Sequence, residues 1–113
     1  MSQVLIPFDR REAISLRTAA KTADRSESTV RIWCQEKGIG RKVAGDVWFV
    51  SRVALAMFDN DIRALNAYKG GDRSSPLVTA YYDRLGLSDL LREWSLTPQN
   101  AQSPQTASVS GFS

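Results

Sequence analysis

The stretch Ser26-Glu27-Ser28-Thr29-Val30-Arg31-Ile32-Trp33, residues 26–33, decides the fold of this chain. Ser26 is a favoured helix N-cap, because its hydroxyl group accepts a hydrogen bond from a free amide of the first turn. Apolar side chains then recur at helical spacing, at Val30, Trp33 and Cys34. Gly38 follows as a glycine that ends the helix. The pattern predicts a short amphipathic helix between Ser26 and Gly38.

A second helical pattern precedes this one. Ser15 is an N-cap candidate, and apolar residues follow it at one face of a helix, at Leu16, Ala19, Ala20 and Ala23. Asp24-Arg25 is typical of a turn. Two short helices separated by about three or four residues form the helix-turn-helix pattern.

A β-hairpin and a further helix are predicted after Gly38. Arg41-Lys42-Val43 and Val47-Trp48-Phe49-Val50 are rich in β-branched and aromatic residues, and Ala44-Gly45-Asp46 lies between them. Ser51 is a third N-cap candidate. The helical face after it is formed by Val53, Ala56 and Met57, and it continues less regularly through Ile62, Leu65 and Tyr68.

These elements predict a mainly α fold with a small β-hairpin, a winged helix-turn-helix followed by C-terminal helices. We divide the chain into a leader (1–13), the winged helix-turn-helix (14–68), a linker (69–75), accessory helices (76–95) and a disordered tail (96–113). The tail is uncharged from Thr97 and rich in Gln, Ser, Thr, Pro and Asn. In the leader, Val4-Leu5-Ile6 is compatible with a strand fragment that Pro7 interrupts.

Composition excludes several classes of site. The chain has no histidine and one cysteine, Cys34, so a histidine-based triad, a zinc site and an intramolecular disulfide are all excluded. No apolar run approaches the roughly 20 residues of a membrane span, and no signal-peptide pattern is present. The carboxylates are scattered and no phosphate-binding glycine motif occurs, so we expect no enzyme, and we expect no cofactor or metal. The single cysteine is compatible with a reduced, cytoplasmic setting.

The positive charge is concentrated in the first part of the chain. The net charge is +3, and residues 10–63 hold 11 Lys or Arg against 7 Asp or Glu. Residues 64–113 hold four of each. A local basic excess favours an anionic partner such as nucleic acid, although random scatter of a few charges is an alternative.

The run from Ser26 to Trp33 resembles the second helix of the MerR-superfamily winged helix, most closely its excisionase branch, where a Ser-x-x-Thr-Val-Arg-x-Trp run is common. Residues 14–20 are similar to the first helix of that family. Residues 45–55 are similar to its second wing strand and the start of its third helix. The resemblance covers about residues 14–60.

This resemblance implies that the second helix enters the DNA major groove while the wing reaches the adjacent minor groove. Excisionases of this kind are recombination directionality factors, which bend double-stranded DNA and steer an integrase, here a tyrosine integrase, towards excision. The implied location is the nucleoid. A transcriptional regulator on the same fold and a protein-interaction adaptor are the alternatives. Helices 76–95 either pack back on the winged domain or mediate head-to-tail self-association on DNA.

The candidate base-reading residues lie at the start of the second helix. Arg31 is placed to pair with guanine, and Glu27 or Ser28 to accept from cytosine N4. Helix capping is the alternative role of Glu27 and Ser28, and a solvated surface side chain that of Arg31. Ser26 and Thr29 are candidates for phosphate contacts, and Gln35 lies one turn beyond Arg31.

Further basic residues are candidates for contacts outside the major groove. Arg41 and Lys42 lie on the predicted wing, where minor-groove insertion and an ordinary charged hairpin edge are the alternatives. Candidates for backbone phosphate contacts are Arg17, Lys21, Arg25 and Arg52. Core packing rather than base stacking is expected for Trp33 and Trp48, and Cys34 is expected to be an apolar filler.

Overall fold

The computed structural model describes residues 2–43 and 45–96, and these form six helices and a small three-stranded sheet. In chain order the elements are β1 (Ala13–Ser15), α1 (Leu16–Ala23), α2 (Glu27–Lys37), β2 (Gly40–Val43), β3 (Val47–Ser51), α3 (Arg52–Asn60), α4 (Ile62–Lys69), α5 (Pro76–Arg84) and α6 (Ser88–Leu96). A mainly α fold with a small β-hairpin is therefore confirmed. The predicted disordered tail lies, from residue 97 on, outside the described residues.

Three serines begin helices as the sequence predicts. The Oγ of Ser15 accepts the amide hydrogen of Thr18 at 3.1 Å, and the Oγ of Ser26 accepts that of Thr29 at 3.1 Å. The Oγ of Ser51 accepts the amide hydrogen of Ala54 at 3.0 Å. Each bond satisfies one of the donors that the first helical turn leaves free.

The sheet is antiparallel in the order β1-β3-β2. The predicted hairpin is confirmed as β2 and β3, which pair with Lys42 opposite Trp48. Strand β1 was not predicted. It pairs with β3, with Ile14 opposite Val50. A strand of three residues is too short to show the alternation of apolar and polar residues that identifies longer strands.

The first residues form a turn, and the strand fragment considered at Val4–Ile6 is absent there. The amide of Leu5 donates to the Tyr68 hydroxyl at 2.9 Å, and the amide of Gln3 donates to the Lys69 carbonyl at 2.8 Å. Both partners belong to α4, so this segment is held by the end of a helix rather than by a neighbouring strand.

The helical face that continues from Val53 to Tyr68 belongs to two helices. Asp61 separates them with an extended backbone, φ −155° and ψ 103°. Its amide donates to the Met57 carbonyl at 2.6 Å, and its side chain accepts from the Arg63 amide at 2.9 Å. Asp61 thus ends α3 and caps α4, as expected of an aspartate at a helix start.

The core extends from the first residues to the last helix. It includes Leu5 from the leader, Val30 from α2 and Leu90 from α6, and all three side chains are fully buried. At the surface, the guanidinium of Arg11 bridges the leader and α6 by two hydrogen bonds to Glu93, of 2.7 and 2.8 Å. The C-terminal helices therefore pack back on the rest of the chain.

A buried carboxyl group connects four of these segments. Glu12 is 0% exposed, and its Oε2 accepts hydrogen bonds from the hydroxyl groups of Ser51, at 2.5 Å, and Tyr68. Its Oε1 accepts from the Tyr82 hydroxyl at 3.0 Å. We call these four residues the Glu12 cluster. A buried carboxyl group is tolerated only where donors replace water, and this cluster supplies three.

The close approach of α2 to the sheet requires a glycine at position 40. A Cβ atom there would lie 2.4 Å from the Phe49 carbonyl oxygen and 2.7 Å from the Cys34 Sγ. Any larger residue would force α2 and β3 apart, because both contacts are far inside van der Waals separation. Gly40 therefore fixes how α2 is seated on the hairpin.

Removal of the Tyr82 hydroxyl tests the Glu12 cluster. We expect Tyr82→Phe to lower the free energy of unfolding by about 1–3 kcal/mol, because Glu12 loses one of its three donors in a buried site. Tyr81→Phe on the same helix is the matched control, since it leaves all three bonds to Glu12 in place. Chemical denaturation at neutral pH measures both, and equal stabilities for the two variants would contradict the role of the cluster.

The same cluster predicts a loss of stability at alkaline pH. Burial, with the adjacent Glu12 carboxyl, raises the pKa of Tyr68 and of Tyr82 above the usual value of 10. Above pH 10 the unfolded chain releases these protons while the folded chain retains them, so unfolding becomes more favourable. Below pH 10 the two tyrosines make their full contribution to the free energy of unfolding. Above pH 10 each of them lowers that free energy by about 1.4 kcal/mol per pH unit. Tyr82→Phe is expected to make that decline shallower, and an unchanged slope would argue against it.

Candidate nucleic-acid interface

The helix pair α1 and α2 is joined by a tight turn. Asp24 ends α1 in the left-handed conformation, at φ 56°, and its amide donates to the Ala20 and Lys21 carbonyls. The Arg25 amide donates to the Ala20 carbonyl at 3.0 Å, and Ser26 then caps α2. The turn of Asp24, Arg25 and Ser26 thus has hydrogen bonds on both sides, which fixes the start of α2 relative to α1.

One face of α2 carries side chains that the rest of the protein does not use. Val30 and Cys34 are buried, and the opposite face is exposed at positions i, i+3, i+4 and i+7. We call this the exposed face of α2: Ser28, Arg31, Ile32 and Gln35. Within residues 2–43 and 45–96, no hydrogen bond or ion pair engages any of these four side chains.

The side chains of Ser26 and Thr29 are already occupied by capping. The Ser26 hydroxyl donates to Thr29 Oγ1 at 2.9 Å while accepting the Thr29 amide. Donation from Ser26 to a phosphate, as predicted, would therefore compete with this bond, whereas the Thr29 hydroxyl accepts here and keeps its own hydrogen to donate. Glu27 and Ser28, for which capping was the alternative role, take no part in this cap, and both are exposed.

Three basic residues of α1 and the turn lie beside the start of α2. Arg17, Lys21 and Arg25 line an open groove with Ser26 and Glu27. Asp24 also lines it, so the groove holds three basic and two acidic side chains. Arg17 and Lys21 are four residues apart on α1 and hence on the same side of that helix. The structure thus brings together three of the four predicted phosphate-contacting residues.

The fourth, Arg52, is held within the protein. Its Nη1 donates to the Arg11 carbonyl at 3.0 Å, and the side chain is half-buried at the start of α3. The backbone of Arg52 is held there as well, because its amide donates to the carbonyl of Glu12, the residue before β1, at 2.9 Å. Sequence reasoning placed Arg52 near a helix start but had no information on the leader that packs there.

The two basic residues of the hairpin have different surroundings. The Arg41 guanidinium donates to the Leu5 carbonyl at 3.1 and 3.4 Å and lies 5.9 Å from the centre of the Phe8 ring. Lys42 is 49% exposed and pairs at 3.6 Å with Asp46, which is 98% exposed. Its ammonium also lies 5.5 Å from the centre of the Trp48 ring. Both contacts are exposed and weak, so Lys42 can leave Asp46 and bind another anion at little cost.

Arg10 is an exposed cation that the sequence reasoning did not include. Its guanidinium lies 5.8 Å from the centre of the Phe49 ring of β3. Phe49 is opposite Arg41 in the strand pairing, so Arg10 lies on the face of the sheet that carries Arg41 and not on the face that carries Lys42. The signal that identifies it is structural: β1 pairs with β3 and carries the end of the leader onto the sheet. A leader without assigned structure gave no reason to select it.

The two tryptophans pack against the core, as expected. Trp33 is half-buried, and its ring lies 5.1 Å from that of Phe58. Both line a pocket of about 430 Å³ between α1, α2 and α3. Trp48 also packs against the core. Cys34 is buried, and burial raises the pKa of its thiol to about 11, which keeps it protonated at neutral pH.

Residues 2–43 and 45–96 contain no group of three or more Asp, Glu or Cys side chains arranged to hold a metal ion. Over the same residues, every helix is too short or too polar to cross a bilayer. No protein-family model, curated protein or solved structure matches the chain.

Substitution of the two hairpin residues separates structural from free side chains. We expect Arg41→Ala to lower the free energy of unfolding by about 1–2 kcal/mol, because the Leu5 carbonyl loses a charged donor in a half-buried site. Lys42→Ala, the neighbouring control, is expected to change it less, by up to about 0.5–1 kcal/mol, because it removes only an exposed ion pair and an exposed cation–π contact. Thermal or chemical unfolding of the two variants checks this, and a larger effect at Lys42 would reverse the assignment.

Proposed function

We propose that this chain is a DNA-binding protein in which α1 and α2 form a helix-turn-helix and the β2–β3 hairpin forms its wing. One observation carries the proposal: on the exposed face of α2, no hydrogen bond or ion pair within the described chain engages the polar side chains Ser28, Arg31 and Gln35. Unused donors and acceptors on a rigid, capped helix are what base recognition requires.

In this proposal the first turns of α2 lie in the major groove. The groove admits an α-helix, and residues near the helix start approach base edges. Arg31 offers two donors to O6 and N7 of a guanine, the commonest specific contact of this kind. Ser28 lies one turn earlier and Gln35 one turn later, so the three residues span successive base pairs.

The groove beside α2 supplies contacts to the phosphate backbone. Arg17, Lys21 and Arg25 line it, and the capped start of α2 adds free amides and the positive end of the helix dipole. Phosphate contacts fix the register of a helix on DNA without reading sequence. Lys42 on the hairpin is the wing residue that this proposal assigns to the neighbouring groove, because Arg41 is bound to Leu5.

Within DNA-binding proteins we propose the role of an excisionase-like recombination directionality factor that bends DNA and acts with a tyrosine integrase. The support is the sequence resemblance of residues 26–33 to the excisionase branch. An excision assay with the cognate integrase tests it. Loss of the bias towards excision in a deletion strain agrees with the proposal, whereas a change in transcript levels alone indicates a transcriptional regulator.

Arginine substitution tests the exposed face of α2. We expect Arg31→Ala to weaken binding to a preferred duplex by about 5- to 150-fold, the cost of about 1–3 kcal/mol for one bidentate base contact. Binding to unrelated DNA is expected to change much less. Titration of fluorescent duplexes at fixed salt measures both affinities.

Two comparison variants complete this test. Lys21→Ala is expected to weaken binding to all duplexes alike and to reduce the salt dependence by one phosphate contact, about 0.9 in the slope of log K against log salt. Arg63→Ala, on α4 and 81% exposed, is expected to leave binding unchanged. An Arg31→Ala variant that binds the preferred duplex like the unsubstituted protein would show that α2 does not read DNA.

A further inference from the structure

Ile32 is an isoleucine where the packing of α2 does not require an apolar residue. The helix contacts the core through Val30 and Cys34, whereas Ile32 points away from them and is 48% exposed. The other large apolar side chains exposed in the described chain are Ile6, Val47 and Ile62, and none of these lies on α2. A single exposed apolar side chain is ordinary on a protein surface, so Ile32 is singled out by its position on the exposed face of α2 and not by its exposure alone.

The neighbours of Ile32 are the residues assigned above to base recognition. Ser28 lies four residues before it, Gln35 lies three residues after it, and Arg31 precedes it directly. Residues three and four apart on a helix are neighbours on its surface. Ile32 therefore lies between Ser28 and Gln35 on the helix surface and faces the same side as they do.

We propose that Ile32 determines sequence preference by packing against the C5-methyl group of a thymine. The inference rests on the proposed function of α2 and extends it to one base. The thymine methyl is the apolar group that a base pair presents in the major groove, so an exposed apolar side chain on a reading helix fits it. The thymine lies at or next to the base pair that Arg31 reads.

The type of side chain fits this role. Isoleucine is β-branched, and in a helix one χ1 rotamer strongly predominates. Its methyl groups are therefore held in place before DNA arrives, and little side-chain entropy is lost on contact. The contact discriminates thymine from cytosine and from uracil, since neither of those bases carries the methyl group.

Thymine-to-uracil replacement in the duplex tests the proposal with the full 113-residue chain. A preferred duplex is first selected from random DNA with the unsubstituted protein. Each thymine of that duplex is then replaced singly by deoxyuridine, and affinities are measured for the unsubstituted protein, Ile32→Ala and Ile62→Ala. Ile62 is the matched control, an isoleucine of α4 that is 54% exposed. Alanine favours helix, so Ile32→Ala retains α2.

The expected result is a coupling at one thymine. Replacement of that thymine by uracil lowers the DNA affinity of the unsubstituted protein and of Ile62→Ala about fourfold, which is the effect of burying one methyl-sized group. The affinity of Ile32→Ala for the duplex does not change. If every replacement changes the DNA affinity of the unsubstituted protein and of Ile32→Ala equally, the inference about Ile32 is wrong, while the proposal that the chain binds DNA still stands. A uniform loss of affinity in Ile32→Ala, with no thymine at which the proteins differ, also overturns the inference about Ile32. Failure to select any preferred duplex overturns the proposed sequence-reading function itself.

Discussion

The carboxyl group of Glu12 receives hydrogen bonds from the hydroxyl groups of Ser51, Tyr68 and Tyr82, and the arrangement of the helices depends on this contact. Ser51 ends β3 and caps α3, while the two tyrosines belong to α4 and α5. Glu12 itself precedes β1. One buried side chain thus joins the sheet to the three helices behind it. Removal of the Tyr82 hydroxyl would leave Oε1 without its donor, whereas Oε2 has two donors, Ser51 and Tyr68.

The Glu12 cluster also determines which basic side chains are free. It draws the leader against α4, because the Tyr68 hydroxyl accepts the Leu5 amide as well as donating to Glu12. The Leu5 carbonyl then holds Arg41, and the Arg11 carbonyl holds Arg52. Arg41 and Arg52 are therefore held against the leader, whereas the cations of α1, the turn and α2 face solvent. Charge counted along the sequence does not separate these two groups.

The elements whose signals are local could be predicted from the sequence. Ser15, Ser26 and Ser51 act as N-caps through amides three residues away, so a short stretch of sequence contains the whole interaction. The hairpin was equally predictable from its strand residues and its central glycine. The candidate reading residues on α2 were chosen for their place in its first turns, and the helix exposes Glu27, Ser28, Arg31 and Gln35 because Val30 and Cys34 occupy its buried side.

The missed features all depend on contacts between distant parts of the chain. β1 is formed by pairing with residues 49–51, and Glu12 is buried because residues 39 to 70 positions later supply its donors. A lone glutamate beside two arginines is typical of a solvated surface segment. The engagement of Arg41 likewise depends on a carbonyl 36 residues earlier. Such contacts leave no periodic trace in a single sequence.

Both ends of α2 are fixed before any partner arrives. Ser26 and Thr29 cap its start, and at its end the Lys69 ammonium donates to the Lys37 carbonyl at 3.0 Å. Gly40 then seats the following strand against Cys34 with no space for a side chain. A helix held in this way does not need to fold on DNA. In the proposed complex with DNA, association would therefore resemble rigid-body docking, with a heat-capacity change set by the contact surface alone, and any bending strain would fall on the nucleic acid.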